Sequence, residues 1–233
     1  MSRPSISVIG AASDFKTGSP KVRISCAIRG RLPVIAPHYF DEAPDAARDP
    51  QAVEVLLPDL AFTIHTDRGV FSHGHLDSGT AFLLQQAPPP PESGTFVDLG
   101  CGAGPIAVAL ALRAPLAHVV AVDPNSRARE LTERNALANG ATVTTLHPDD
   151  VPADMTVDLI WSNPPIRIGK AALRSLLTYW LQRLSNCGVA ILVVNRHLGA
   201  DSLHSWLENE GWAVARLGSR TGFRLLSVSR RSN

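Results

Sequence analysis

The sequence is poor in several residue types, and each shortage excludes a class of protein. Its 233 residues include three cysteines, Cys26, Cys101 and Cys187, with no C-x-x-C pattern. We therefore expect reduced thiols rather than a disulfide framework or a zinc site. Apolar runs fall well short of the ~20 residues that span a bilayer. The short apolar stretch at residues 6–12 does not make a secretory signal, so a cytoplasmic protein without a membrane contact is expected.

Charged residues are also few, at 18%, and they are unevenly placed. The formal net charge of +1 is the sum of +5 over residues 1–37, −11 over residues 38–160 and +7 over residues 161–233. The basic last third also carries the candidate catalytic loop described below. A basic rim around such a loop favours a phosphate-bearing substrate such as RNA, whereas arginines on an ordinary solvated face are the alternative reading.

The first 91 residues divide into two segments. Residues 1–37 show no sustained periodicity and predict a flexible basic extension. Residues 38–91 predict a small lobe, in which two apolar runs at 53–57 and 61–66 form a β-hairpin and a short helix begins near Asp77 or Ser78. Four prolines at 88–91 end this lobe.

Residues 92–233 alternate short apolar runs with helical patterns. The predicted strands are 95–99, 118–122, 142–145, 157–162 and 189–194, the predicted helices are 105–113, 125–139, 171–184 and 202–210, and a terminal hairpin covers 212–217 and 224–229. Such alternation predicts a parallel sheet with right-handed crossovers. The fold class is therefore α/β, a doubly wound, Rossmann-like sheet of seven strands, mostly parallel with a C-terminal antiparallel strand.

A glycine-rich turn follows the first strand of this region and begins at Asp98. Gly100, Gly102 and Gly104 let the backbone approach a ligand closely, because no Cβ intervenes. The dinucleotide fingerprint needs a third glycine where this chain has Pro105, so the spacing fits methyltransferases better. Asp123 ends the second strand, where a carboxylate can accept hydrogen bonds from both ribose hydroxyls of a nucleoside cofactor.

The sequence Asn163-Pro164-Pro165 indicates that the group modified is an exocyclic amine. Two prolines after a buried strand give a stiff, extended backbone without N–H donors. The Asn163 oxygen and the Pro164 carbonyl are then available to accept both N–H bonds of an exocyclic amine, which orients the nitrogen lone pair toward a methyl donor. Such alignment is worth roughly 7–11 kcal/mol in favourable cases, so Asn163 and Pro164 are the predicted catalytic groups.

From about residue 38 onward the chain resembles the ribosomal RNA guanine-N2 methyltransferases of the methyltransferase small domain family. The resemblance is carried by Asp67-Arg68-Gly69-Val70-Phe71-Ser72, Leu76-Asp77-Ser78-Gly79-Thr80, the turn at 98–104, Ser162-Asn163-Pro164-Pro165 and Val194-Asn195-Arg196-His197-Leu198. It implies S-adenosylmethionine as cofactor and ribosomal RNA or a ribosomal subunit as partner. It also implies that Phe71 covers the cofactor and that Asp150, or its neighbour Asp149, lies near the adenine amine.

The chain departs from this family in two ways. Ile166 stands where relatives often have an aromatic residue that stacks on the flipped base. The bacterial relatives also carry a second, N-terminal domain that helps to bind RNA. Substrate contacts are therefore predicted for Pro165, Ile166, Arg167, Lys170 and Arg196, with Arg220, Arg224 and the basic extension as further candidates.

Several alternatives stay open at this point. Adenine N6 and protein glutamine methylation also use Asn-Pro-Pro loops, and a non-catalytic scaffold that binds S-adenosylmethionine or RNA is a rival from another class. His73-Gly74-His75 lacks an acidic or cysteine partner at ligand spacing, so no metal is predicted. We expect a monomer.

Overall fold

The computed structural model describes residues 47–231, and they form one doubly wound α/β unit preceded by a hairpin. The strands are β1 (Gln51–Leu56), β2 (Ala61–Thr66), β3 (Thr95–Leu99), β4 (His118–Val122), β5 (Thr144–Leu146), β6 (Val157–Ser162), β7 (Leu184–Asn195), β8 (Trp212–Arg220) and β9 (Phe223–Arg230). The helices are α1 (Ser78–Gln86), α2 (Pro105–Arg113), α3 (Ser126–Ala138), α4 (Lys170–Leu181) and α5 (Ala200–Asn209). The predicted extension at residues 1–37 lies outside the described residues.

Seven strands form one sheet in the order β5-β4-β3-β6-β7-β9-β8. The first five are parallel neighbours, and β9 runs antiparallel to both β7 and β8. β1 and β2 form a separate antiparallel hairpin. The predicted fold class is confirmed, including the antiparallel strand near the C-terminus and the N-terminal hairpin.

The central strands are buried on both faces, which explains their continuous apolar sequences. Side chains alternate between the two faces, so Phe96 packs with α1 and α2 whereas its neighbour Val97 packs with α4 and α5. Order reverses between β3 and β6, which are neighbours in the sheet although β4 and β5 intervene in the chain. The crevice beyond the carboxyl ends of these two strands is where such folds bind ligands.

The hairpin packs on the part of the fold that contains the seven-stranded sheet. Val55 and Ile64 share a hydrophobic core with Ile106 of α2. Two side-chain amides also pair with the free edge of β2: Asn135 of α3 accepts from His65 N and donates to His65 O, and Asn139, which ends α3 as its C-cap, does the same at Thr63. These side chains satisfy β2 as a third strand would, so the hairpin is held in a fixed register. The domain boundary at residue 91 stays a prediction.

Most predicted element bounds lie close to those of the structure, and the bounds of β5, β7 and α4 are among those that differ. β5 spans three residues and begins at Thr144, later than predicted. β7 begins at Leu184, five residues before the predicted start, and α4 ends at Leu181 instead of continuing to 184. Leu184 pairs with Val157, and a register shift follows before Leu159 pairs with Val189. The polar residues inside that irregular pairing hide the start of the strand from a search for apolar runs.

Candidate active site

The turn after β3 has a shape that only glycine allows at its last position. Gly104 has φ +82°, and a Cβ built there would lie 2.7 Å from both Oγ1 and Cγ2 of Thr132 and 3.0 Å from its Cα. Thr132 is fully buried on α3 and donates a hydrogen bond to the Gly102 carbonyl at 3.2 Å. The turn is therefore packed tightly against the buried face of α3, which fixes the path of its backbone.

Asp123 lies at the end of β4, beside this turn. Its Oδ2 accepts from Gly102 N at 3.0 Å and its Oδ1 accepts from Asn125 N at 2.9 Å. Burial raises the pKa of Asp123, which the two backbone donors and the charges of Arg129 and His147 oppose. Each oxygen keeps a further lone pair, so the carboxylate is placed to accept from a pair of ligand hydroxyls.

Asp98 lies on β3 below the turn and is fully buried. Its Oδ2 accepts from Ala107 N at 2.9 Å, whereas its Oδ1 has no hydrogen-bond partner among the described residues. Burial raises the pKa of Asp98 to about 8, and the nearby charge of Asp123 adds to this effect. An orphaned buried carboxyl oxygen is costly to the fold, so it is a candidate for binding a cationic group.

A segment between β2 and α1 covers the turn. Val70 and Phe71 lie closest to Gly102, where an added Cβ would be 3.8 Å from Cβ of Phe71 and 4.0 Å from Cγ1 of Val70. Asn125, which caps α3, donates from Nδ2 to the Gly69 carbonyl at 2.7 Å. Phe71 is 48% exposed and lines the cleft, and its covering of a cofactor stays a prediction.

Asn163 follows β6 and is held by two residues of the N-terminal lobe. Its Nδ2 donates to Oδ1 of Asp77 at 2.7 Å and to Oγ1 of Thr80 at 3.1 Å. A carboxylate can only accept, so the amide nitrogen must face Asp77, and Oδ1 of Asn163 is left as an acceptor. Pro164 is buried and Ser162 donates from Oγ to the Leu99 carbonyl at 2.7 Å, which ties the ends of β6 and β3 together.

One cleft brings part of the glycine turn, the covering segment and Asn163 together, whereas Asp98, Gly104 and Asp123 lie outside its lining. Its lining includes Phe71, Asp77, the turn from Gly100 to Ala103, and Asn163, with Ile64 of β2 on the hairpin side. The two loops also approach one another, because a Cβ on Gly100 would be 3.9 Å from Cδ of Pro165. The structure therefore places the predicted catalytic Asn163 beside the predicted cofactor turn.

Other predicted residues lie at the same edge of the sheet but do not line this cleft. Asp150 is exposed in the short 3-10 turn Pro148–Asp150 that follows β5. Arg167, Lys170 and Arg196 are exposed in the segments that follow β6 and β7. Ile166 is half-buried and packs on the core formed with α4 and α5. Their predicted roles at the cofactor and the substrate stay predictions.

Sequence reasoning missed how Asn163 is oriented. It assigned Asp77 as a possible helix cap, and Asp77 does cap α1 through Gly79 N and Thr80 N. The same oxygen also accepts from Asn163, which is 86 positions away in the chain. The signal in the sequence was the Asp77-Ser78-Gly79-Thr80 segment, but no local pattern connects it to Asn163.

Among residues 47–231, no group of three or more histidine, cysteine or acidic side chains is arranged to hold a metal ion. In the same part of the chain, the helices are too short or too polar to cross a membrane.

Comparison with known proteins identifies the family. The model of the methyltransferase small domain matches residues 61–227, which is most of the chain. The chain belongs to this methyltransferase family, and the resemblance inferred from the sequence motifs is confirmed.

Two curated relatives illustrate the range of lengths in this family. The chain is 30% identical to the uncharacterized protein YbxB of Bacillus subtilis, over 83% of this chain and 98% of that protein. It is 34% identical to ribosomal RNA small subunit methyltransferase C of Pseudomonas syringae pv. syringae, over 80% of this chain but 56% of that protein. The chain thus spans about half the length of the methyltransferase C relative and nearly all of YbxB.

A solved structure shows the same fold. The T. thermophilus 16S rRNA N2 G1207 methyltransferase, in complex with AdoMet and guanosine, has a TM-score of 0.69 and 24% sequence identity. The match covers 81% of this chain and 52% of that one.

Proposed function

We propose that this protein transfers a methyl group from S-adenosylmethionine to the N2 amine of a guanine in ribosomal RNA. The observation that carries the proposal is the orientation of Asn163, whose amide oxygen is left to accept from an amine beside the glycine turn. The methyltransferase C relatives supply the choice of ribosomal RNA, and guanine N2 is named for the T. thermophilus enzyme and implied by the resemblance of the sequence motifs. The proposal places the protein in the cytoplasm and has it act as a monomer.

The cofactor half of the site fits S-adenosylmethionine. Asp123 has lone pairs for two ribose hydroxyls, and the orphaned Oδ1 of Asp98 suits a cationic group of the methionine portion. Gly100 and Gly102 line the cleft and would leave space for the chain of the cofactor, while Gly104 lets the turn pack against Thr132. Phe71 would cover the cofactor, and Asp150 follows β5 at the edge where an adenine would lie. S-adenosylmethionine, when bound, supplies an already activated methyl group.

The acceptor half is built to position an amine rather than to deprotonate it. Asn163 Oδ1 accepts one N–H, and the Pro164 carbonyl accepts the other, so that the nitrogen lone pair points at the methyl carbon. Because methylation makes the amine acidic, the proton leaves to water and no dedicated base is required. Pro165 keeps this loop stiff, and the base is presented flipped out of its stack.

The exposed basic side chains support an RNA substrate. Arg167, Lys170 and Arg196 project from segments that follow β6 and β7, beside the acceptor site. Phosphates are their natural partners. Ile166, which replaces the aromatic residue of many relatives, leaves base stacking to another side chain, for which Phe71 is our candidate.

The test uses labelled methyl donor with extracted ribosomal RNA and with ribosomal subunits, followed by mapping of the modified nucleotide by mass spectrometry. We expect label on guanine N2, and Asn163→Ala is expected to lower the rate about 1,000-fold or more while the cofactor still binds. Asn186→Ala, at an exposed position at the other end of the sheet, is the matched control and is expected to keep wild-type activity.

The same experiment separates the alternatives. Label on adenine N6 or on a protein glutamine would show that the methyl acceptor is a planar amine other than guanine N2. Cofactor binding without any transfer would favour a scaffold that binds S-adenosylmethionine or RNA.

A further inference from the structure

We infer that Asp77 and Thr80 are positioning residues for methyl transfer and that the negative charge of Asp77 acts on the acceptor amine through the Asn163 amide. This inference rests on the proposed function and deepens it. It assigns a role in the reaction to a segment that otherwise resembles an ordinary helix cap.

Asp77 accepts more hydrogen bonds than a helix cap requires. Oδ1 of Asp77 accepts from Gly79 N at 2.8 Å, from Thr80 N at 3.0 Å and from Asn163 Nδ2 at 2.7 Å. Capping α1 needs only the first two of these bonds. The third is the shortest, and it joins the N-terminal lobe to the loop after β6. A residue selected only as a cap has no need to reach Asn163.

Asp77 and Thr80 together fix the rotamer of the Asn163 side-chain amide. An asparagine side chain can rotate by half a turn and exchange its oxygen and nitrogen. Here the nitrogen is committed twice, because Asp77 accepts and Thr80, which is buried, also accepts through Oγ1. The reversed rotamer would place the Asn163 oxygen against a carboxylate, which is repulsive. The two residues therefore keep the Asn163 oxygen on the side of the cleft.

The negative charge of Asp77 is suited to the positive charge that develops on the acceptor nitrogen. As the N–CH3 bond forms and the S–CH3 bond breaks, the bonding electrons stay on sulfur and the amine nitrogen becomes positive until it releases a proton to water. A hydrogen bond from Nδ2–H to a carboxylate polarises the amide and makes its oxygen a stronger acceptor. Hydrogen bonds to an ionised partner are also roughly twice as strong as neutral ones. The charge of Asp77 therefore stabilises the developing cation without touching the substrate.

Four variants test this inference in the full-length protein. Asp77→Asn keeps an oxygen for all three N–H donors and removes the charge, and Asn is as good a cap as Asp. Thr80→Val removes the hydroxyl, and Thr80→Ser restores it. Asp158→Asn is the matched control: it removes a carboxylate that accepts from Thr95 N at 2.9 Å, at the start of β6 rather than at its end.

We expect Asp77→Asn to lower kcat by about tenfold or more with little change in the KM for the cofactor. Thr80→Val should lower kcat by a smaller factor and Thr80→Ser should recover most of it, whereas Asp158→Asn should keep the wild-type rate. A wild-type rate in Asp77→Asn would overturn the inference. So would a loss of rate that is matched by lower melting temperature and weaker cofactor binding, because that pattern describes a cap alone.

A second readout does not depend on the substrate. The side-chain amide protons of Asn163, assigned by their loss in Asn163→Ala, should include one shifted far downfield by the carboxylate. In Asp77→Asn this signal should move upfield. If it does not move, the inference fails even when RNA is methylated. If it moves while the wild type methylates no RNA, the proposed function fails and the polarised amide stands.

Discussion

The loops that follow β3 and β6 lie side by side at one edge of the sheet, but they are held in different ways. The turn from Gly100 to Gly104 is fixed by buried contacts with Thr132 and Asp123. The loop at Asn163 is fixed by the hydrogen bonds that Asn163 donates to Asp77 and Thr80 at the start of α1, and beyond Pro165 it becomes exposed. The difference indicates that the first loop sets a shape on which folding depends, whereas the second can change its chemistry without unfolding the protein.

The largest effect is expected when the shape of the first loop is broken. Gly104→Ala places a Cβ 2.7 Å from Thr132 at a positive φ, so it combines a steric clash with backbone strain. We expect a loss of about 3 kcal/mol in the free energy of unfolding together with much weaker cofactor binding, measured by denaturant titration and calorimetry.

Gly140→Ala is the matched control for that variant. Gly140 also has a positive φ, of +68°, but no atom lies within 4 Å of its would-be Cβ. It should lose only about 1 kcal/mol from strain and keep cofactor affinity. Equal losses in the two variants would show that the packing of the turn against Thr132 is not what fixes the first loop.

A substitution of Asp98 is expected to change stability less than Gly104→Ala does, and to raise it rather than lower it. Because burial raises its pKa to about 8, the folded state favours the protonated form, and the contribution of this group to stability is lost as pH rises from about 4 to about 8. Asp98→Asn should therefore be more stable than the wild type, with a difference that grows over this range and reaches roughly 5 °C in melting temperature at pH 8.

The ionisation of Asp98 should also affect the affinity for the cofactor. In the wild type, binding of a cationic cofactor should release a proton from Asp98 and tighten as pH rises toward 8, which calorimetry in buffers of different ionisation enthalpy measures. Asp98→Asn should lose this pH dependence and bind more weakly. Unchanged affinity and pH dependence in the variant would separate Asp98 from the cofactor.

The smallest effect is expected on the exposed part of the second loop. Replacing Arg167 and Lys170 together by Gln should leave stability and cofactor binding unchanged and weaken RNA binding, with the slope of log K against log salt reduced by up to about two. The same charge removal at Arg134 and Arg231, in the second half of α3 and after β9, is the control. An equal loss of RNA affinity in the control would indicate a diffuse charge effect.

Sequence patterns predicted the parts of this molecule that depend on neighbours in the chain. The bounds of β3, β4 and β6 agree because each is a short apolar run between clear breaks, and the caps of α1 and α3, Asp77 and Asn125, lie where the sequence predicts these helices to begin. The early start of β7 was missed because its first residues are polar and pair irregularly.

Contacts between distant positions could not be predicted in this way. The orientation of Asn163 depends on Thr80 and Asp77, which lie 83 and 86 positions earlier in the chain. Asn135 pairs with His65 across 70 positions. The raised pKa of Asp98 arises from complete burial below the turn, which the spacing of glycines does not reveal. Such features appear only once the chain is packed.

The hydrogen bond between Asp77 and Asn163 connects the segments on either side of the prolines that precede β3. Residues 88–91 look like a natural place to cut, and a fragment that begins at residue 92 would retain the whole seven-stranded sheet. That fragment would contain Asn163 without the two side chains that orient it. On the proposed role of Asp77 and Thr80, a reduced or transplanted version of the site must therefore include the start of α1.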